Sequence, residues 1–192
     1  FKNIKDIQIT FAHCYFDSPK TEEMFKMLTS RSNIDYSRYN FFHANYLISK
    51  NNEKETKKIL SYSLKQYPRS LILNQLKIDL KQRKKFHNKF DCKNSANVIA
   101  EIFYITSNAL ASQNNYAASN FYLSLSKYLN PNFVSFDVLH AENFFLFQEY
   151  EKANKIFKEI EKKGSIYNWY AAKKISSILI KLDKKAKALK NI

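Results

Sequence analysis

The chain has 192 residues, which is long enough to bury a substantial core within one domain. Apolar residues make up 45% of it, and the single glycine and three prolines exclude a β-sandwich of this length, which would need many more turn-forming residues. The net charge of +15 indicates either an anionic partner (nucleic acid, anionic lipid or an acidic protein) or an A/T-rich genome, whose codons favour Lys, Asn, Ile, Phe and Tyr. No apolar run approaches the roughly 18 residues that span a bilayer.

Four positions recur along the chain at fixed intervals. A small residue is followed three residues on by an apolar residue, twelve on by a second small residue and sixteen on by a larger apolar residue. Small side chains at the first and third positions would let two helices approach closely. The first, degenerate unit has helices over 2–16 and after Ser18, with Pro19 in the first turn of the second helix. Its four positions are Ala12, Tyr15, Met24 and Leu28.

The second unit is clearer and ends at Pro68, which stops its last helix. Its positions are Ala44, Leu47, Thr56 and Leu60, with a turn at Asn51-Asn52. A further amphipathic helix follows over 70–83. Residues 84–94 then lack a helical apolar face and interrupt the spacing, so one unit has either lost most of its second helix or kept it as an irregular loop. We expect 84–94 to be the most mobile internal segment.

The central units are the most regular and meet at Asn130-Pro131. Their positions are Ser107, Leu110, Ser119 and Leu123, then Ala141, Phe144, Ala153 and Phe157. A last unit has Ser176, Leu179, Ala188 and Ile192, with one residue inserted near Lys163-Gly164. The predicted units span about 4–36, 37–68, 70–94, 100–133, 134–167 and 168–192, within one domain over 1–192. The apolar end at Ile192 favours a fragment of a longer array.

This spacing resembles the tetratricopeptide repeat, W-x2-L-G-x2-Y, then A-x3-F, then P, with a period of about 34 residues. Phe103 and Ser107 stand for Trp and Gly in one unit, and Asp137 and Ala141 in the next, where Asp137 should weaken the packing. The chain from Ala100, through YLNPNF, to NWYAAKK resembles bacterial, alphaproteobacterial-type repeat proteins. The resemblance implies helical hairpins in an all-α, right-handed superhelical solenoid with a concave groove. The bacterial cytoplasm and the periplasm both stay open, since the chain does not begin with Met.

No motif for catalysis, metal binding or cofactor binding is present. Glycine-rich phosphate loops, H-E-x-x-H and C-x-x-C are all missing from the sequence. One disulfide between Cys14 and Cys92 is possible, although we expect Cys14 to pack as a small apolar residue; a zinc site that adds His13 and His87 has no support in the spacing. His43 and His140 are expected between helices, each with an amide or hydroxyl partner. The chain is therefore not expected to be an enzyme.

The resemblance places the binding groove on the first helix of each unit. The candidate side chains are Arg38, Phe41, Asn45 and Ile48; Glu101, Tyr104, Asn108 and Ser112; Val138, Glu142 and Phe145; and Tyr170 and Lys173. Asn45 and Asn108 each follow the small residue of their unit, where an amide suits a bound main chain; chance placement in an asparagine-rich chain is the alternative.

Two hypotheses about function follow. The first is a scaffold that binds a peptide or partner protein in the groove of a repeat superhelix. The second is a nucleic-acid-binding helical repeat protein, supported by the basic runs Lys81–Lys93 and Lys181–Lys190 and by Phe86 and Phe90 within the first run. Solvated helix faces and a loop would explain the same runs.

Overall fold

The computed structural model describes residues 4–30, 37–83 and 86–189, and these residues form eleven α-helices and no strand. The helices are α1 (Ile4–Tyr15), α2 (Thr21–Thr29), α3 (Ser37–Ser49), α4 (Glu53–Gln66), α5 (Leu71–Gln82), α6 (Ser95–Ser112), α7 (Tyr116–Leu129), α8 (Val134–Leu146), α9 (Tyr150–Ile160), α10 (Ser165–Lys181) and α11 (Lys185–Leu189). The predicted all-α class is confirmed. The chain divides into two compact units, Phe1–Val98 and Ile99–Ile192.

None of the helices in the described ranges has both the length and the apolar character needed to cross a membrane.

Five helix–helix turns share one hydrogen-bond pattern. Each has a residue in the left-handed conformation, with φ between 52° and 62°, whose N–H donates to the carbonyl three residues earlier, while the next N–H donates to the carbonyl five residues earlier. This pair of bonds satisfies carbonyls at the end of the first helix and reverses the chain. The left-handed residues are Asp17, Asn51, Asn114, Gln148 and Asp183.

Small side chains lie where the two helices of a hairpin meet. Ala141 and Ala153, between α8 and α9, are both 0% exposed. Between α6 and α7, the hydroxyls of Ser107 and Ser119 are 2.7 Å apart and both residues are completely buried. The pairs Ala44 with Thr56 and Ser176 with Ala188 are buried in the same way, while Ile192 lies outside the described residues. Both residues of the pair are therefore buried in all four hairpins, and a hydrogen bond joins Ser107 to Ser119 and Ser176 to Ala188.

The first hairpin has a different register from the one predicted. Ala12 is exposed, whereas Thr10 is 2% exposed and precedes its turn residue Asp17 by seven positions, as Ala44 precedes Asn51. Thr21, eleven residues after Thr10, is also buried, and its hydroxyl donates to the carbonyls of residues 13 and 18. The assignment from Ala12 is wrong because a small apolar residue was preferred over a threonine two positions earlier.

Residues 86–94 are irregular but attached to the first unit at several points. Cys14 and Cys92 form a disulfide with a Cα–Cα distance of 5.8 Å, so the expectation that Cys14 packs only as a small apolar residue is wrong. The ring of Phe90 packs 4.3 Å from that of Phe42. The main-chain N–H of His87 donates to the buried Asp79 carboxylate at 2.9 Å. These contacts join the segment to α1, α3 and α5, and the mobility predicted for 84–94 stays a prediction; Lys84 and Lys85 lie outside the described residues.

Asp137 occupies a place that is usually bulky in the repeat pattern, and the structure compensates for its charge. Asp137 is 8% exposed, and its carboxylate accepts a hydrogen bond from the ammonium group of Lys127. The ion pair joins the end of α7 to the start of α8. The contact supplies an attraction that the sequence pattern alone did not indicate.

Candidate functional site

The candidate groove residues all lie on α3, α6, α8 and α10, the first helices of their hairpins. Arg38, Asn45, Ile48, Tyr104, Val138, Glu142, Phe145 and Tyr170 are half-buried, Asn108, Ser112 and Lys173 are exposed, and Phe41 and Glu101 are buried. Phe41 and Glu101 are 1% and 0% exposed, so neither offers surface to a partner as placed.

In the compact unit Phe1–Val98, the Asn45 side chain binds a main-chain carbonyl of the same protein. Its Nδ2 donates to the carbonyl oxygen of Phe90, in the irregular segment that follows α5. The Phe90 ring enters an aromatic cluster with Phe42 and with Phe11, whose centroid is 5.5 Å away. The Arg38 guanidinium carbon lies 5.5 Å from the centroid of the Phe42 ring. The face of α3 thus holds a non-helical segment by one side-chain amide and one buried ring.

An open cavity of about 300 Å³ adjoins this contact and is lined by residues of α3, by Lys50 and by the segment 90–93. Lys50 and Lys93, from the two sides, both bind the carboxylate of Asp17, at 2.7 and 2.9 Å. Hydrogen bonds from Lys50 and then from Lys93 lower the pKa of Asp17. Lys93, one cation of the first basic run, is therefore paired within the chain.

In the compact unit Ile99–Ile192, the candidate residues Glu142, Phe145 and Tyr170 lie close together. The Tyr170 hydroxyl donates to Glu142, and the Lys174 ammonium group lies 2.7 Å from the same carboxylate. Lys174 is also 5.2 Å from the centroid of the Phe145 ring. Burial first, and then the Glu142 charge, raise the pKa of Tyr170, so its hydroxyl remains a donor. The cluster joins α8 to α10.

Sequence reasoning chose Lys173 for this face and missed Lys174. Lys173 is exposed, and its ammonium group lies 5.6 Å from the centroid of the Trp169 ring. Lys174 is four residues after Tyr170, and side chains at that interval share a face of a helix. The periodicity around Tyr170 could therefore have indicated Lys174.

Asn108 is exposed on α6, one residue after the buried Ser107, as Asn45 follows the buried Ala44. Tyr104, one turn earlier on α6, is half-buried with its ring centroid 5.7 Å from that of Phe136. Asn108 therefore has an amide at the surface beside a half-buried aromatic residue.

The two histidines at matching positions pack against aromatic rings. His43 is 1% exposed and stacks on Phe25 with ring centroids 5.2 Å apart, and its burial lowers its pKa to about 4. His140 stacks on Phe144 at 4.9 Å, and burial lowers its pKa as well. Both are neutral near pH 7. Stacking takes the place of the expected amide or hydroxyl partner at His43 Nε2, which makes no hydrogen bond within the described residues.

Within the same ranges of the chain, no three His, Cys, Asp or Glu side chains are grouped so that they could hold a metal ion. His13 Nδ1 is instead 2.9 Å from the Ser18 hydroxyl, and both cysteines are in the disulfide.

No known protein family matches the chain, and no curated protein sequence does.

Proposed function

We propose that this chain is a scaffold of tetratricopeptide-like hairpins that binds an extended segment of a partner protein on its first helices. Four of the hairpins share a buried pair of small residues twelve positions apart and the same turn seven positions after the first of them. Successive first positions after Ala44 are separated by 63, 34 and 35 residues, which is close to one or two repeat periods of about 34. Stacking in a right-handed superhelix is part of this proposal.

The observation that carries the proposal is the bond from Asn45 to the Phe90 carbonyl. A side-chain amide both donates and accepts, so it matches the hydrogen-bonding groups of a non-helical main chain. Here a first helix already holds such a chain, and the aromatic ring beside the bonded carbonyl is buried. Asn108 presents the same group at the matching position of the second unit, where it is exposed.

We therefore assign partner binding to the first helices of the compact unit Ile99–Ile192. Asn108 would bind its main chain, and Tyr104 would contribute apolar contact area at low entropic cost. Lys174 is neutralised by Glu142, so Lys173 is the cation that would attract an acidic segment or a free C-terminus.

The test is the binding of acidic, extended peptides with free C-termini, measured by fluorescence anisotropy. We expect Asn108→Ala to weaken binding by about 1–3 kcal/mol, because buried polar groups of the peptide lose their partner. Asn132→Ala, at an exposed turn, is the matched control and should leave affinity unchanged. Both variants should melt at the temperature of the parent protein. Equal affinities for the two variants would contradict the assignment of Asn108.

The second candidate function, nucleic-acid binding, is favoured by the net charge of +15. It predicts binding of a single-stranded oligonucleotide whose affinity falls steeply between low and moderate salt. The affinity for that oligonucleotide should be the same for Asn108→Ala as for the parent protein.

A further inference from the structure

Within the described part of the compact unit Phe1–Val98, helix α5 is not followed by a second helix that would complete its hairpin. Among the described residues, α1, α3, α6, α8 and α10 are each followed by a helix that turns back, whereas α5 ends at Gln82 and residues 86–94 are irregular. α5 packs against α3 and α4. A helix returning after α5 would pack against α5 and α4.

An open cleft of about 650 Å³ lies between α4 and α5. Its apolar residues are Leu60, Leu64 and Leu80, of which Leu60 is 5% exposed and the other two are half-buried. Leu60 and Leu64 are four residues apart on α4, so they form a ridge along one side of that helix. Two helices that present leucines to a shared cleft make a surface into which a third helix can pack.

The rim of this cleft is cationic. The described residues that line it include no acid and five bases, which are Lys57, Lys65, Lys77, Lys81 and Arg83. One nearby carboxylate, Glu53, binds Lys57 at 3.0 Å and Arg83 at 3.3 Å. The bases outnumber this acid, so the rim favours a ligand with negative charge on both sides of an apolar surface.

We propose that the α4–α5 cleft binds an amphipathic α-helix of a partner protein, with leucine-sized residues along one face and Asp or Glu on the flanks. Such a helix takes the place of the second helix that the α5 hairpin lacks. Its apolar face packs on Leu60, Leu64 and Leu80, and its flanking carboxylates meet the five bases. The cleft lies between α4 and α5, so this site is separate from the one assigned to Asn108 on α6.

The test uses three designed peptides of about five helical turns. The first has a leucine stripe flanked by Glu, the second has the same stripe flanked by Lys, and the third is a scramble of the first that destroys the stripe. Anisotropy at moderate salt measures affinity, and circular dichroism measures the helicity that the bound peptide gains. We expect tight binding and added helicity for the Glu-flanked peptide alone.

A charge reversal identifies the surface. Lys77→Glu/Lys81→Glu, at two exposed positions of α5, should weaken the Glu-flanked peptide roughly tenfold and strengthen the Lys-flanked one. Lys155→Glu/Lys158→Glu, at exposed positions of α9, is the matched control and should change neither. Leu64→Asn should weaken binding of the Glu-flanked peptide, and the exposed double variant keeps the test decisive if Leu64→Asn does not fold.

Three results would overturn the proposal. The scrambled peptide could bind as well as the striped one, which would reduce the cleft to a charged surface. The double variant on α5 could bind the Glu-flanked peptide as the parent does. A single-stranded oligonucleotide could displace that peptide at equal concentration, which would assign the cleft to nucleic acid.

Discussion

Ala141→Leu tests whether the buried small pairs set the distance between the helices of a hairpin. Ala141 and its partner Ala153 are both 0% exposed where α8 meets α9, so three added carbons cannot be accommodated without moving a helix. Overpacking of this kind costs about 1–3 kcal/mol. In a chain of this size each kcal/mol lowers Tm by about 2–4 °C, so we expect a decrease of roughly 2–12 °C.

The assay is thermal unfolding followed by circular dichroism at 222 nm, a wavelength that reports on helix, with urea unfolding as a second measure. The matched control is Ala117→Leu, because Ala117 is exposed on α7 and its free energy of unfolding should change by less than about 0.5 kcal/mol. Glu142→Leu, the neighbouring change, is unsuitable as a control since Glu142 binds Tyr170 and Lys174. Equal Tm decreases for Ala141→Leu and Ala117→Leu would refute the packing argument.

The remaining predictions concern the first unit. Reduction of the Cys14–Cys92 disulfide, which closes a loop of 78 residues, should cost about 4 kcal/mol of unfolding free energy, and the double Ser variant should be insensitive to reductant in the same urea titration. His43 binds a proton near pH 6.5 when unfolded but only near pH 4 when folded, so stability should fall by up to about 3 kcal/mol as the pH is lowered from 6.5 to 4. His43→Phe should flatten that pH dependence. Asn45→Ala should cost about 1 kcal/mol of folding stability because the Phe90 carbonyl loses its donor, and a variant as stable as the parent would contradict this.

The local part of the fold could be predicted from the sequence because its signals are local. An asparagine in the left-handed conformation at Asn51 or Asn114, and small residues twelve apart, are both determined within one hairpin. The missed features join residues that are distant in sequence. The Cys14–Cys92 disulfide and the bond from Asn45 to Phe90 span 78 and 45 positions, and no periodic pattern reports such pairs. Thr10 was missed for a different reason, since a buried threonine satisfies its hydroxyl by donating to the Asp6 carbonyl.

The same limits apply to the candidate sites. Asn45 and Asn108 occupy matching positions, and sequence reasoning assigned both of them one role. The structure separates them, because the Asn45 amide binds a carbonyl of the same chain while Asn108 is exposed. The α4–α5 cleft was not predicted, since its leucines and bases come from two helices and only Lys81 and Arg83 belong to the basic run noticed in the sequence.

Salt dependence and peptide pattern together separate the three kinds of partner considered for this chain. A peptide bound through Asn108 and Tyr104 depends mainly on an amide hydrogen bond and on buried area, so salt should weaken only its attraction to Lys173 and lower its affinity slightly. A helix bound in the α4–α5 cleft is held by ion pairs and by burial on Leu64 and Leu80, so salt should lower its affinity only in part. A peptide without the apolar stripe should not bind there. A nucleic acid bound by the excess of lysine should lose affinity steeply with salt whatever its sequence. Because these responses differ in kind, one salt titration on each of the three probes distinguishes the classes of partner before the natural ligand is identified.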